Sequence, residues 1–184
     1  MESLKGQLLI ACPELTAPMF ARSVILMLDH GADGALGVIL NQESNTMTSD
    51  LAGKIFDEEF DWEKRLRIGG PVAGSFLVLH TVEDMANQEV IPGVYVTMEP
   101  SLVQQLIVRR PEPSLIIANY SGWGPGQLEG EFGWDSWLTL PATAELVFWD
   151  DDRDLWKFVV SQVRARKLSD FLHLKGGPSD PSLN

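Results

Sequence analysis

The sequence predicts a single domain of the α/β (α+β) class, in which short strands outnumber helices. The first half consists of strongly apolar runs, rich in β-branched side chains and separated by glycine and proline, which is typical of strands. Two stretches, 101–109 and the one after Asp152, instead repeat apolar residues at helical spacing. The 184 residues suit one domain. We expect it to span 1–175, followed by a flexible tail over 176–184, where glycine, proline and serine dominate.

The first strands follow directly from the apolar runs. Residues 8–11 form the first run, and Pro13 ends it because proline cannot donate to a β-ladder. Residues 23–28 are so apolar that we expect a strand buried on both faces. A turn of about five residues around His30 then leads into 35–40, and this pair predicts an antiparallel hairpin.

The same patterns predict alternating strands and helices over the rest of the chain. A helix over 48–56, capped by Thr48 or Ser49, precedes an acidic loop over 57–63. Further strands are predicted over 67–68, 76–79, 94–98 and 115–120, and an extended run over 137–140. Helices are predicted over 101–109, capped by Ser101, over 127–132, and from near Asp152 onward. The short apolar run over 145–148 is ambiguous between strand and helix.

The charge balance argues against a nucleic-acid-binding protein. The chain has 14 lysines and arginines against 26 acidic residues, which gives a formal net charge of -12 and a pI near 4.5. Such a surface repels phosphate, whereas non-specific nucleic-acid binding depends on cations. The one basic cluster is Arg164, Arg166 and Lys167, which we expect on the solvated face of the last helix. Direct nucleic-acid binding is therefore disfavoured.

Cysteine content and hydropathy indicate a cytoplasmic protein. A single cysteine, Cys12, excludes an internal disulfide and a cysteine-based zinc cage, and suits a reducing compartment. No run of about 18 apolar residues is present, and the first residues lack the basic and apolar regions of a signal peptide. We therefore expect neither export nor a membrane span.

A glycine-rich segment over 119–129 is the densest unusual local pattern. Gly122, Gly124 and Gly126 stand between an apolar strand and a predicted helix, where backbone amides could converge on a ligand such as a phosphate. The other interpretation is a tight strand-to-helix corner in which Trp123 packs as an aromatic plug. Neither of the two common glycine-rich phosphate-binding patterns occurs, and no lysine accompanies the loop.

Two histidines, His30 and His80, follow predicted strands, where ligand sites of sheet proteins gather. With Asp29, Glu83 or Asp84 they could form a site of two histidines and one carboxylate. The alternative is a structural histidine that bonds a loop backbone group. No His-x-His or His-Glu-x-x-His spacing is present, so we predict no metal and no cofactor.

Cys12 could act as a redox or nucleophilic thiol, or pack as a small buried hydrophobe. The segment around Ser121 lacks the leading glycine of a nucleophile elbow. The sequence therefore predicts no catalytic residue.

Several conspicuous segments follow one another along the chain: Gly6-Gln7-Leu8-Leu9-Ile10-Ala11-x-Pro13, Phe20-x-Arg22-Ser23-Val24, His30, Gly34-Ala35-Leu36-Gly37-Val38-Ile39-Leu40-Asn41, Gly69-Gly70-Pro71-Val72, Leu79-His80, Tyr120-x-Gly122-Trp123-Gly124-x-Gly126-Gln127-Leu128-Glu129 and Trp137. Taken in this order, they resemble the bacterial AlgH/YqgE family over about residues 6–171. The chain departs from the family pattern in two places: Asn41 is followed by Gln42-Glu43 where the family usually has Arg-Pro, and position 12 is a cysteine where relatives commonly have another residue.

The resemblance implies one domain with a complex, bent or bifurcated, mostly antiparallel or mixed sheet flanked by helices. It brings the label of a transcriptional regulator, which derives from a genetic link to alginate production. We expect a cytosolic, non-enzymatic binding or regulatory protein with a protein or small-molecule partner, and as alternative an enzyme or redox protein that uses Cys12 or the histidines. The predicted binding residues are His30, Asn41, Gly69, Gly70, Pro71, His80, Gly122, Trp123, Gly124 and Gly126.

Overall fold

A computed structural model describes residues 2–47, 64–134, 136–150 and 154–175. These residues form eleven strands and four α-helices, with one 3-10 turn at Glu83–Met85. The strands are β1 (Gln7–Ala11), β2 (Val24–Gly31), β3 (Gly34–Ile39), β4 (Glu43–Met47), β5 (Arg65–Ile68), β6 (Leu77–His80), β7 (Gln88–Ile91), β8 (Val94–Thr97), β9 (Ser114–Ala118), β10 (Ser121–Trp123) and β11 (Trp137–Pro141). The helices are α1 (Pro100–Arg109), α2 (Gln127–Phe132), α3 (Ala144–Val147) and α4 (Leu155–Lys175).

The strands build two sheets. The first sheet has the order β10-β3-β2-β1-β11 and is antiparallel throughout. The second has the order β4-β5-β9-β6-β8-β7 and is mixed, because β5 and β9 run parallel. These two antiparallel and mixed sheets, flanked by four helices, confirm the predicted α+β single-domain fold.

Within the residues that the structure describes, the chain passes between the two sheets at two places, and these crossings form a seam. One crossing joins β3 to β4 through residues 40–42, and the other joins β9 to β10 through Asn119 and Tyr120. Backbone bonds tie the sheets together there: Ile39 N donates to Gly69 O, and Ile68 N donates to Gln42 O, each at 2.9 Å. Of the predicted binding residues, Asn41, Gly69 and Gly70 lie along this seam.

Three apolar clusters fill the space between sheets and helices. The largest lies between the sheets and α4, a second lies between the first sheet and α2, and the third joins the second sheet to α1. Residues 24–28 of β2 are all buried, which confirms the strand predicted to be covered on both faces. Alternate β2 residues contribute to the first two clusters, so this strand divides them.

Some predicted boundaries were wrong. The hairpin loop between β2 and β3 is only residues 32 and 33, because β2 continues past a bulge to Gly31. Helix α1 is capped by Glu99, whose carboxylate accepts from Ser101 N and Ser101 Oγ, so Ser101 lies inside the helix. Helix α4 begins at Leu155, where Asp154 Oδ1 accepts from the backbone of the first turn.

Short strands with weak patterns were missed. β4, β7 and β10 were not predicted, because the polar sequence of β4 and the brevity of β10 leave no clear alternation of apolar residues. The run over 145–148, whose type the sequence left ambiguous, belongs to α3, and Thr143 caps the first turn of this helix. The helix predicted over 48–56, the acidic loop over 57–63, the cap at Asp152 and the tail over 176–184 lie outside the described residues.

Helix α4 is the longest helix, with 21 residues. Its basic cluster, Arg164, Arg166 and Lys167, is exposed to solvent, as predicted. Within the described ranges, no helix is both long and apolar enough to cross a membrane.

Candidate functional site

The first glycine corner packs directly against the second crossing of the chain. A Cβ atom on Gly69 would lie 2.5 Å from Asn119 O, and one on Gly70 would lie 2.3 Å from Ser121 Oγ and 2.4 Å from Tyr120 O. Ser121 Oγ donates to Gly69 O at 3.0 Å. Only glycine fits these two positions. We call Gly69, Gly70, Asn119, Tyr120 and Ser121 the glycine seam.

Gly74 and Gly122 are also closely packed, in their case against the two edges of the Tyr120 ring. A Cβ atom on Gly74 would lie 2.9 Å from the Tyr120 ring, and one on Gly122 would lie 3.2 Å from its other edge. The aromatic ring is therefore held between two glycines, and Val72 pairs with Tyr120 in an isolated bridge. Pro71 is exposed beside this contact.

The second glycine corner turns the chain from β10 into α2. Gly126 precedes the helix with a left-handed φ of 71°, which favours glycine. Gly124 donates its backbone N–H to Gln127 Oε1 at 3.1 Å. Gly122, Gly124 and Gly126 are all exposed, while Trp123 between them is 6% exposed. This is the geometry of a strand-to-helix corner with an aromatic plug.

Trp123 is held by a carboxylate that it shares with a second tryptophan. Glu131 Oε2 accepts from Trp123 Nε1 at 3.1 Å and from Trp137 Nε1 at 2.8 Å. The two indole rings meet edge to face, with centroids 6.3 Å apart, and Phe20 stacks on Trp123. The Trp123 side chain therefore faces the interior.

His30 binds the N-terminal segment rather than an open surface. Its Nδ1 accepts the Leu4 N–H at 3.1 Å, which leaves Nε2 to carry the proton of the neutral ring. Nε2 lies 3.2 Å from Glu129 Oε1, close enough for attraction but not aligned as a hydrogen bond. The residue is buried.

His80 is completely buried in the second sheet. Its Nδ1 accepts the Val82 N–H at 3.1 Å. Its Nε2 lies 2.8 Å from Thr97 Oγ1, and this hydroxyl donates to Met85 O. Burial lowers the pKa of His80, and the nearby carboxylate of Asp84 opposes this only in part. The neutral imidazole thus closes a chain of structural hydrogen bonds.

The structure does not bring the two histidines into one metal site. His30 ends β2 of the first sheet, whereas His80 ends β6 of the second. Among the described residues, no three His, Cys, Asp or Glu side chains are placed to hold a metal ion. Cys12 is buried, and its backbone N–H donates to Ser136 O at 3.0 Å.

An open cleft of about 380 Å³ lies at the other crossing of the chain. We call it the arginine cleft; its lining residues are Ala21, Arg22, Asn41, Gln42, Asp154 and Leu155. Two amide side chains shape it. Asn41 Oδ1 accepts the Val24 N–H at 2.9 Å, and its Nδ2 donates to Arg22 O at 2.8 Å. Gln42 Nε2 donates to Met19 O at 2.8 Å.

Arg22 projects its guanidinium across the arginine cleft. Arg22 has a left-handed φ of 59°, which residues other than glycine rarely adopt. Its backbone carbonyl accepts a hydrogen bond from Asn41 Nδ2. The guanidinium carbon lies 5.1 Å from the Trp156 ring centroid and forms an ion pair with Asp154. Trp156 is itself fixed, because its Nε1 donates to Ala11 O at 2.8 Å.

Arg22 is the functional candidate that the sequence did not single out. Its side chain is 55% exposed, although both the backbone below it and the ring beside it are fixed. Asn41 was predicted as a binding residue and does line the cleft. In the sequence, Arg22 appears only as one residue of a segment that resembles the family. Its pairing with Asp154 joins residues 132 positions apart, so no local pattern indicates it.

A second cavity of about 350 Å³ lies between β5, β9 and the segment after α3. Its cations are already engaged. Lys64 Nζ lies 2.7 Å from a Glu112 carboxylate oxygen, and Arg67 contacts Glu43 at 3.2 Å while donating to Leu40 O at 2.9 Å. Burial lowers the pKa of Arg67, and the charge of Glu43 acts against this shift. The side chains of Lys64 and Arg67 are 23% and 20% exposed, so both cations are less accessible than that of Arg22.

Comparisons with known proteins agree with this architecture. The model of the AlgH-like family matches residues 8–167. A UPF0301 protein of Chlamydia pneumoniae is 33% identical over 175 residues, covering 90% of this chain and 89% of the relative. A UPF0301 protein of Xanthomonas axonopodis pv. citri is 34% identical over 167 residues, with coverage of 87% and 89%.

Two solved structures share the fold. The solution structure of AlgH from Pseudomonas aeruginosa is 26% identical, with a TM-score of 0.73 and coverage of 97% of this chain and 96% of that one. A crystal structure of protein DIP2367 from Corynebacterium diphtheriae is 25% identical, with a TM-score of 0.67 and 84% of each chain covered. This chain belongs to the AlgH-like family.

Proposed function

We propose that the protein is a cytosolic, non-enzymatic binding protein that receives a carboxylate-bearing ligand in the arginine cleft. The observation that carries the proposal is Arg22, whose half-exposed guanidinium is oriented by Asn41 from below and by Trp156 from the side. A side chain that is fixed before binding loses less conformational entropy when the ligand arrives. An open cavity of about 380 Å³ adjoins it.

The chemistry of the guanidinium favours a carboxylate. Its planar array of donors matches two carboxylate oxygens, and a flat cation lies well on an indole face. Asp154 now occupies this position with its own carboxylate. A ligand carboxylate would replace that of Asp154, so Asp154 competes with the ligand for Arg22.

The positions of the reactive side chains support binding rather than catalysis. Cys12 is 7% exposed, which keeps a substrate from its thiol. Both ring nitrogens of His80 face structural partners, and none of these residues lines the arginine cleft. A general base needs a free nitrogen within reach of its substrate.

The charge distribution supports a small ligand or a protein rather than a nucleic acid. The net charge is -12, and Arg164, Arg166 and Lys167 are exposed residues of a single helix. We expect no band shift with duplex DNA even at low salt, because a phosphate-driven contact would be strongest there. Binding at low salt that weakens as salt is added would contradict this part of the proposal.

A titration followed by ¹⁵N NMR tests the site. We expect succinate and N-acetylglutamate to shift the amides of residues 21–22, 41–42 and 154–155, together with Arg22 Nε. Arg22→Lys keeps the charge but removes the planar fork, so the affinity should fall at least about tenfold. Arg110→Lys is the matched control, because Arg110 also has a left-handed φ, of 53°, but lies at the end of α1.

The position of the shifts decides between two sites. Shifts confined to the amides of Gly69, Gly70, Gly122, Gly124 and Gly126 would favour the glycine corners that the sequence predicts and would refute the arginine cleft. Equal affinities of the Arg22→Lys and wild-type proteins would also refute it. Inorganic phosphate serves as the second anion, and tighter binding of phosphate than of the carboxylates would overturn the ligand class.

A further inference from the structure

The arginine cleft has a positive and a negative side chain in direct contact on its wall. Arg22 Nη2 donates to Asp154 Oδ2, and both residues line the cleft. Their side chains are 55% and 32% exposed, so a ligand in the cleft can reach both charges. The cleft thus offers two opposite charges to one ligand.

This ion pair uses only part of the hydrogen-bonding capacity of each partner. A guanidinium carries several N–H donors in one plane, and among the described residues only Nη2 of Arg22 has a hydrogen-bond partner. Asp154 Oδ1 accepts the Lys157 N–H at 3.1 Å, which fixes the carboxylate at the first turn of α4. Asp154 Oδ2 also lies 3.9 Å from Lys157 Nζ, so this oxygen already attracts an ammonium group. Both partners therefore have positions left for a ligand.

Two other ion pairs lack this combination. In the second cavity, Lys64 Nζ contacts both carboxylate oxygens of Glu112, at 2.9 and 2.7 Å, so that pair is engaged through both oxygens. Arg109 lies 3.6 Å from Asp84, but the cavity beside α1 is lined by Arg109 and not by Asp84. The arginine cleft instead brings an accessible cation and an accessible anion into one cavity.

The cleft is balanced in charge, although the protein as a whole is strongly acidic. Arg22 and Asp154 are the charged side chains among its lining residues, and Asn41 and Gln42 are neutral amides. The net charge of -12 repels ligands that are anionic overall. A ligand with one carboxylate and one ammonium group avoids this repulsion, and each of its charges meets an opposite charge in the cleft.

We propose that the ligand of the arginine cleft is a free α-amino acid, bound as its zwitterion. Its carboxylate binds the N–H groups of Arg22 that Asp154 leaves open, and its ammonium group binds Asp154 Oδ2. Both ligand groups are attached to one carbon, so they reach two side chains that touch each other. The cleft volume of about 380 Å³ suits a small molecule. This inference rests on the proposed function, because it names the ligand class of the same site.

Asp154 determines the specificity of this site. For a ligand with a carboxylate alone, Asp154 is a competitor, because the two carboxylates repel each other beside one guanidinium. For an amino acid, Asp154 is a partner, because the ammonium group compensates its charge. Removing the negative charge at position 154 should therefore change the affinities for the two kinds of ligand in opposite directions.

Isothermal titration calorimetry of the wild-type protein tests the ligand class, with ¹⁵N NMR to locate the site. The probes are L-alanine, L-leucine and L-glutamine, each compared with its N-acetyl derivative, which lacks the positive charge, and its amide, which lacks the negative one. At least one amino acid should shift the amides of residues 21–22, 41–42 and 154–155. It should bind at least about tenfold more tightly than either derivative, because each derivative loses a charge-assisted hydrogen bond.

Asp154→Asn tests the role of the carboxylate. Asparagine caps helices as well as aspartate does, so α4 should be kept. The affinity for the amino acid should fall at least about tenfold, whereas the N-acetyl derivative should bind more tightly than it binds the wild type. Asp84→Asn is the matched control, because it removes the same unit of charge from the exposed pair with Arg109 and should change neither affinity.

The outcomes separate this inference from the proposed function. An N-acetyl derivative that binds the wild type as tightly as its amino acid would overturn the inference and leave the carboxylate site standing, as would an unchanged amino-acid affinity in Asp154→Asn. Binding of succinate without binding of any of the three amino acids would overturn it in the same way. If none of these ligands shifted residues 21–22, 41–42 and 154–155, both proposals would fail. If Asp154→Asn failed to fold, the comparison of ligands on the wild-type protein would decide alone.

Discussion

The glycine seam and the arginine cleft occupy the two described crossings where the chain changes sheets, but the first is closely packed and the second is open. In the glycine seam, an added Cβ atom would come within 2.3 to 2.5 Å of its neighbours. In the arginine cleft, about 380 Å³ stays open beside a half-exposed guanidinium. In both places a side chain donates a hydrogen bond to a backbone carbonyl. Ser121 Oγ donates to Gly69 O in the glycine seam, and Asn41 Nδ2 donates to Arg22 O in the arginine cleft.

This difference separates residues that the fold requires from residues that are available to a ligand. The glycines that make the sequence conspicuous are explained by close approach of backbone to backbone and to the Tyr120 ring. The arginine is not conspicuous in the sequence, and its environment gives it an orientation that the fold alone does not need.

Gly70→Ala should have the largest effect. The new Cβ would lie 2.3 Å from Ser121 Oγ and 2.4 Å from Tyr120 O, and the φ of 154° disfavours a side chain. We expect a loss of about 3–4 kcal/mol in the free energy of unfolding, measured in urea, because steric overlap and backbone strain add. Gly130→Ala, in open space within α2, is the control and should stabilise by about 0.5–1 kcal/mol. Equal effects of the two substitutions would contradict the close packing of the seam.

Glu131→Ala should have the next largest effect. It leaves the indole N–H groups of Trp123 and Trp137 without their acceptor, at a cost of about 2 kcal/mol. Glu131→Gln keeps one acceptor oxygen and should cost less than about 1 kcal/mol. Urea unfolding followed by tryptophan fluorescence measures both variants. An alanine variant as stable as the glutamine variant would show that the shared acceptor contributes little.

The sequence predicted most of the architecture because the buried strands stand out in it as short apolar runs. It placed α2 and the buried part of β2 well, since residues 24–28 are all apolar and α2 begins after a glycine corner. It missed β4, whose residues are polar because they lie at a sheet edge. Edge strands need fewer apolar residues, so their pattern is weak.

The candidate site was predictable only in part, for a different physical reason. Asn41 was identified through its segment, and it does line the arginine cleft. The pairing of Arg22 with Asp154, and its position over Trp156, join residues far apart in the chain. No local pattern carries that information. A histidine at a strand end likewise looks the same in a sequence whether it faces a cleft or, like His80, the interior.

The buried state of His80 predicts a pH dependence of stability. Its folded pKa is lowered by burial, so as the pH falls below the ordinary value of about 6.5 the unfolded chain takes up a proton that the folded chain resists. The free energy of unfolding should therefore decrease from pH 7 to 5.5. His80→Gln stays neutral and should flatten this slope. In the wild type, the His80 ring signals in NMR should titrate at a lower pH than an exposed histidine with the ordinary pKa of about 6.5, and a midpoint at or above that value would refute the assignment.

Substitutions of Arg22 should change stability least and ligand binding most. Arg22→Ala removes an exposed ion pair and a contact with Trp156 while keeping a strained backbone, and we expect a loss of about 1 kcal/mol. Arg22→Gly removes the same contacts but relieves the left-handed φ of 59°, so it should be more stable than the alanine variant by about 1 kcal/mol. Both variants should lose carboxylate binding equally, because neither retains the guanidinium. If the glycine variant were the less stable of the two in urea unfolding, the backbone at Arg22 would not be strained, and the fixed orientation on which carboxylate binding depends would need another source.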